Sequence, residues 1–240
     1  MKAVILNSGG LDSTTCMGIA LDGNREVFPL SVKYGQRHAR EHLSIKNVVD
    51  WYVAKTRQSI VPGIMHDLKL VEIDLRAIGG SALTDDSIEV PTNREEGEMA
   101  DIPVTYVPAR NTILLSIALG YAEVVEAKEI WIGANQVDYS GYPDCREEFL
   151  SAFEQLANVA TKRAVGGKTI TIRHPLLHMS KAAIIKTGVD LNVPYQLTWS
   201  CYQGEEKACG VCDSCKLRLA GFKEYGYIDP IDYRPEVVQE

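Results

Sequence analysis

The chain has 240 residues, enough for one large domain or a domain with an appendage, and long enough to bury roughly 70–75% of its unfolded surface in an ordinary core. Its 45% hydrophobic and 24% charged residues have the balance of a soluble globular protein and exclude a disordered or fibrous one. With 25 Lys plus Arg against 32 Asp plus Glu, a net charge of −7, most of the surface repels phosphate backbones, which disfavours a broad nucleic-acid footprint but not a small nucleotide. No apolar run nears the ~20 residues of a membrane span, and Met1 to Asn7 enters a strand-like segment with no signal sequence ahead of it. A cytoplasmic location with no membrane contact is expected.

In chain order, Lys2–Asn7 is β-rich and Asp12–Leu21 has helical character. Glu26–Tyr34 reads as a second strand despite Pro29 in its middle. His38–Lys55 is a long amphipathic helix and Leu68–Ile73 a third strand. Ala109–Ala127 is apolar nearly all round, which predicts a buried helix. Lys128–Gly133 reads as a strand, Cys145–Arg163 as a helix, Thr169–Arg173 as a strand and Lys181–Val189 as a helix. Strands alternating with helices predict a Rossmann-like parallel α/β sheet covered on both faces. Residues 1–195 would form this unit, and residues 196–240 a small C-terminal metal-binding segment packed on it. Asp74–Val107 breaks the alternation with eight acids against Arg76 and Arg94, and loops of that length are functional lids or disordered segments.

The first loop, Asn7-Ser8-Gly9-Gly10-Leu11-Asp12-Ser13-Thr14, joins the first strand to the first helix. Two glycines let the backbone turn sharply and approach a ligand closely. Ser13 and Thr14 bring hydroxyls to a helix N-terminus, where unpaired N–H groups and the dipole favour an anion. The segment therefore reads as an oligophosphate cradle, with a plain strand–turn–helix as the bland alternative. G-x-x-x-x-G-K-[ST] and G-x-G-x-x-G are both absent, which sets aside P-loop NTPases and dinucleotide sites. Asp12 would repel phosphate unless it holds Mg²⁺ or caps the helix.

Cys201, Cys209, Cys212 and Cys215 form C-x₇-C-x₂-C-x₂-C. Four thiolates with no open position suit a structural Zn²⁺ site; an iron–sulfur cluster uses the same ligands. His38 to His42 matches H-x-x-E-H, an inverted zincin signature, but no third ligand stands out and an exposed helix start is the plainer reading. Cys16 reads as packing, and Cys145 is ambiguous. Arg110, at a helix start, has the charge to stabilise leaving pyrophosphate. Ser180 reads as an N-cap, and Lys181 has the reach for a β- or γ-phosphate. Gly133 to Arg146 offers carboxylates, phenols, amides and an arginine at one sheet edge, an inventory suited to a planar heterocycle.

The loop resembles the S-G-G-x-D-S loop of the N-type ATP pyrophosphatases, which include GMP synthetase, NAD synthetase, asparagine synthetase and several tRNA-modifying enzymes. Within that group SGGLDS (Ser8–Ser13), YGQRH (Tyr34–His38), VPARN (Val107–Asn111), DYSGYPDCR (Asp138–Arg146) and WSCY…CGVCDSC (Trp199–Cys215) together resemble the 7-cyano-7-deazaguanine synthase family, over essentially the whole chain. The resemblance implies an ATP site over Asn7, Ser8, Gly9, Gly10, Leu11, Asp12, Ser13, Thr14, Thr15, Cys16 and Met17, and zinc on the four cysteines. It implies conversion of 7-carboxy-7-deazaguanine and ammonia to the nitrile with two Mg²⁺-bound ATP. Asp12, Arg110 and Lys181 would then serve the pyrophosphate, and Asp138, Tyr142 and Asp144 the heterocycle. A homodimer with no direct nucleic-acid partner is expected. The rivals are an amidating relative acting on another carboxylate, a tRNA sulfurtransferase with a catalytic cysteine, and a zinc-ribbon-like binding module.

Overall fold

The computed structural model describes residues 1–36, 39–94, 102–137, 142–203 and 206–237. Among them, six strands form one sheet: β1 (Lys2–Leu6), β2 (Glu26–Lys33), β3 (Ile64–Met65), β4 (Lys69–Glu72), β5 (Glu129–Trp131) and β6 (Thr171–Arg173). Every pairing is parallel, in the order β3-β2-β1-β5-β6, with β4 also on β2. The helices are α1 (Leu11–Asp22), α2 (Ala39–Arg57), α3 (Arg110–Val125), α4 (Glu147–Ala160), α5 (Lys162–Val165), α6 (Lys181–Asp190) and α7 (Asp213–Tyr225).

The pleat of β1 sorts the core. Val4 and Leu6 enter a cluster with Leu115 and Leu119 of α3 and Leu150 and Phe153 of α4. Ala3 and Ile5 enter another with Met17 and Leu21 of α1 and Val48, Val49 and Tyr52 of α2. Alternate side chains thus cover opposite faces, and the parallel α/β sheet is as expected. The chain builds outward from β1 through β2, then returns to β1's other side with β5. That reversal leaves a crevice at the carboxyl ends of β1 and β5.

Pro29 sits inside β2, opposite Ile5 of β1. The sides alternate along a strand: Leu30 accepts from Asn7 on the β1 side, while Val27 accepts from His66 on the other. Pro29 therefore faces the side of β3 and β4, and falls between the end of one and the start of the other. Its missing N–H breaks no ladder bond.

Two helices differ from the sequence reading. The helix expected to be buried all round, α3, lays Leu115, Ala118, Leu119 and Ala122 on the sheet but leaves Val124 79% exposed. An α3 one layer from solvent buries only the stripe facing β1 and β5. The helix expected over Cys145–Arg163 is instead a 3-10 turn (Pro143–Cys145) followed by α4 and α5. It breaks at Thr161, whose backbone is extended and whose hydroxyl caps α5 by accepting the Ala164 N–H at 3.2 Å. The described parts of Asp74–Val107 are anchored. Leu75, Leu83 and Val107 pack with Tyr34, and Arg94 is ion-paired to Asp213 of α7, Nε to Oδ2 at 3.1 Å.

Candidate active site

The loop after β1 is held on all sides. Asn7 extends the ladder, its N–H donating to the Leu30 carbonyl at 2.8 Å, and its Oδ1 accepts from the Gly9 N–H at 2.9 Å. Gly9 has φ +71°, and a Cβ there would stand 2.8 Å from the Ile45 nitrogen of α2, so only glycine fits. The Gly9 carbonyl accepts from the Ser44 hydroxyl at 2.7 Å and from the Trp199 N–H at 2.9 Å. The first N–H groups of α1 have no intrahelical acceptor, and its N-cap, Gly10, brings no side-chain bond. The buried Asn7 amide nitrogen has no partner. An orphan donor beside open helix N–H groups fits an oligophosphate.

This loop lines a cavity of about 250 Å³ with the ends of β2 and β5 and the starts of α2, α3 and α6. Leu11 and Ser13 also line it. Thr14, Thr15, Cys16 and Met17 are fully buried, with Thr14 donating to the Gly10 carbonyl at 2.8 Å and Thr15 bonded to the Tyr195 hydroxyl at 2.8 Å. The helix-capping reading of Asp12 is corrected: Asp12 lies within α1, and both its oxygens accept from Lys181 Nζ, at 2.8 and 3.0 Å. Ser180 caps α6 as expected, accepting the Ala183 N–H at 3.2 Å. Asn135, after β5, secures the loop before α6 by donating to the Leu176 and Met179 carbonyls at 2.8 Å each.

The cavity is also lined by Tyr34, Gln36, Glu41 and Arg110. The Tyr34 N–H donates to Gln36 Oε1 at 2.8 Å, and Gln36 Nε2 donates to Glu41 Oε2 at 3.3 Å. Burial pushes the Glu41 carboxyl up to about 7, against the opposing pull of Gln36 and Arg110. For Arg110, burial disfavours the charge, but Tyr34, Tyr142, Cys145 and Asp144 around it more than offset that. Tyr142 lines the cavity, its hydroxyl 2.9 Å from that of Thr105. Asp144 lies behind the wall. Its Oδ2 accepts the Asn111 N–H at 3.0 Å, a charged cap for α3 that no residue at the helix start supplies; its buried Oδ1 has no partner. Burial, then Asp144, pushes the Cys145 thiol up to about 11, so it is not a thiolate at neutral pH. Burial likewise raises Cys16. Asp138 and His38 lie outside the described residues.

The four cysteine sulfurs lie within 4.8 Å of one another and all four residues are buried. Zn–S bonds of about 2.3 Å would set tetrahedral sulfurs about 3.8 Å apart, a modest contraction. Backbone N–H groups already turn toward the sulfurs: Cys209 to Cys201 at 3.4 Å, and Val211 and Cys212 to Cys209 at 3.4 and 3.3 Å. The donor set fits a closed site. Thr92 bridges Cys212, and Ala208 pairs with Tyr233, so the cluster is stapled from both flanks. Among the described residues no second group of His, Cys, Asp and Glu meets the same geometry.

The sequence reading gave no site role to Glu41, Gln36 or Trp199, which lie inside the motifs named above, and missed Arg218. Arg218 is 2% exposed, donates to both oxygens of the buried Asp229 at 2.6 and 2.8 Å, and reaches Thr198 at 2.7 Å. Glu41 is the acid of the H-x-x-E-H match, which marked the right turn of helix for a different chemistry.

A parallel sheet with an oligophosphate cradle at its reversal point, and a Lys–Asp pair and an arginine lining the same cavity, defines an α/β nucleotide-site protein. The family model described as "Queuosine biosynthesis protein QueC" matches residues 2–226, and the chain belongs to that family. It is 53% identical over 232 residues to "7-cyano-7-deazaguanine synthase 2" of Desulfitobacterium hafniense, covering 97% of this chain and 93% of that one. It is 53% identical to the 7-cyano-7-deazaguanine synthase of Acetivibrio thermocellus, with 97% of each chain covered. With that of Thermoplasma volcanium the identity is 52%, over 97% of this chain and 90% of the other.

Proposed function

We propose that the protein converts 7-carboxy-7-deazaguanine and ammonia to 7-cyano-7-deazaguanine, cleaving two ATP to AMP and pyrophosphate. The observation that carries this is the single cavity joining the Ser8–Ser13 loop, Lys181, Arg110 and Tyr142, in a chain matched over 97% of its length by synthases of that name. The substrate carboxylate attacks the α-phosphorus and pyrophosphate leaves, giving an acyl-adenylate. Ammonia displaces AMP to form the amide. The amide oxygen is adenylated in turn, and loss of AMP leaves the nitrile. Asn7, Ser8, Gly9, Gly10 and Ser13 bind the triphosphate; Lys181 and Arg110 meet the charge that develops on pyrophosphate. Tyr142 and Asp138 receive the heterocycle, and Asp144 holds the start of α3, with Arg110, in place. Mg²⁺ needs only one or two carboxylates beside substrate phosphates; arriving with ATP, it would take Asp12 and neutralise phosphate charge. Zinc on Cys201, Cys209, Cys212 and Cys215 would hold residues 196–240 against the phosphate loop.

The sulfurtransferase rival is weakened by the buried, high-pKa Cys145. Purified protein given ATP, Mg²⁺, ammonium and 7-carboxy-7-deazaguanine should release two AMP per nitrile formed. Release of one AMP with accumulation of the amide, or no turnover, would remove the assignment. From the family resemblance we further take the protein to be a cytoplasmic homodimer, and from its net charge of −7 one without a direct nucleic-acid partner. Light scattering should return twice the 26.5 kDa chain mass; a monomer at micromolar concentration would end the dimer reading.

A further inference from the structure

Glu41 is a carboxylate in the ATP cavity that neither phosphate binding nor heterocycle recognition uses. Its position is fixed by α2. Ser44 and Ile45, one turn further along, pack directly on Gly9 of the phosphate loop. Glu41 and Ile45 share a helix face and both line the cavity. Glu41 therefore precedes Ile45 by about one helical turn, roughly 6 Å of backbone rise along α2. Its titratable neighbours are the Arg110 guanidinium on α3 and the neutral phenol of Tyr34, just past β2. Asp12 and Lys181 line the same cavity, paired to each other, and Tyr142 and Asp144 flank Arg110.

Resting on the reaction above, we propose that Glu41 is the proton acceptor that converts bound ammonium into the attacking ammonia. At neutral pH ammonia is present chiefly as ammonium, which has no lone pair to attack with. The Glu41 carboxylate attracts the cation and takes one proton, freeing the lone pair. That pair forms the C–N bond to the acyl carbon while the C–O bond to AMP breaks, and AMP leaves with the bonding electrons. Glu41 passes its first proton to water and accepts the second, shed by the new C–N nitrogen, so ammonium loses two protons and the neutral amide remains. A carboxyl held near 7 is matched to such exchanges at neutral pH.

The test compares wild type with Glu41→Gln and Glu41→Asp in the same preparations. At pH 7, Glu41→Gln should lower ammonium-dependent nitrile formation about 100-fold or more. ATP–pyrophosphate exchange dependent on 7-carboxy-7-deazaguanine, which needs no ammonia, should stay within about twofold of wild type. Hydroxylamine, largely unprotonated at neutral pH, should restore acyl transfer in the Gln variant. At fixed total ammonium the wild-type rate should fall as pH drops below about 7, because Glu41 must be ionised to accept a proton. The Gln variant should lose that inflection and track free ammonia upward, and Asp should recover part of the rate. Undiminished nitrile formation in Glu41→Gln, with normal exchange, would overturn the role. Parallel loss of exchange and hydroxylamine transfer would overturn it in favour of a binding role. Absence of exchange in the wild type would instead remove the substrate assignment, and Glu41's role with it.

Discussion

Cys212→Ser is expected to lose bound metal and to lower the melting temperature by about 6–12 °C. Structural zinc sites return about 10 kcal/mol or more to folding in small peptides. If one lost thiolate forfeits about a third of that, a chain of this size loses roughly 2–4 °C per kcal/mol. Cys212 is fully buried, bridges Thr92 and donates its N–H to Cys209, so its loss also loosens the segment that carries Thr92. Metal analysis and calorimetry on the two proteins check this. A variant with full zinc content and an unchanged transition would show that Cys212 is not a ligand on which metal or fold depends; iron in place of zinc would reassign the cluster. The effect should reach ATP as well, because Trp199, two residues before Cys201, holds the Gly9 carbonyl.

Lys181→Ala should lower both substrate-dependent ATP–pyrophosphate exchange and nitrile formation by about 10²–10³, the usual loss when one donor to a developing anion is removed. Lys181 starts α6, and its stem lies on Gly221 of α7, where a Cβ would meet Lys181 Cγ at 2.4 Å. The ammonium is therefore aimed by packing as well as by Asp12. The fall should appear in kcat with the KM for the heterocycle little changed, since Tyr142, not Lys181, receives it. Exchange at the wild-type rate would exclude Lys181 from pyrophosphate departure.

The two strongest motifs were legible because their chemistry is local. Ser8–Ser13 is a continuous loop whose glycines and hydroxyls declare its shape, and the cysteines at 209, 212 and 215 need only short turns to converge. The alternating strands were legible for the same reason, each being a short apolar run between turn residues. What was not legible depends on contacts distant in sequence. Asp144 reads as a heterocycle ligand from its company in DYSGYPDCR, yet in space it caps α3, 33 residues upstream. Glu41 gains its character from Arg110 and from loss of water, neither visible in its own helix. Arg218 carries no motif at all, and only the fold reveals that a buried carboxylate at 229 awaits it. The strand over Pro29 was legible, but not what tolerates the proline, because the gap between β3 and β4 is set by register.

The bond from Trp199 to Gly9 has a consequence for biosynthesis. Residues 8 to 13 leave the ribosome well before two of the groups that hold them, Trp199 and, behind Thr198, Arg218. The sheet and helices of the first half have their own apolar surfaces to bury as they emerge. The nucleotide cradle takes its final form only when the C-terminal helix docks on α6 and α1. Nascent chains should therefore acquire a core well before they acquire ATP affinity, and chains cut short before the cysteines would be folded in part but catalytically silent.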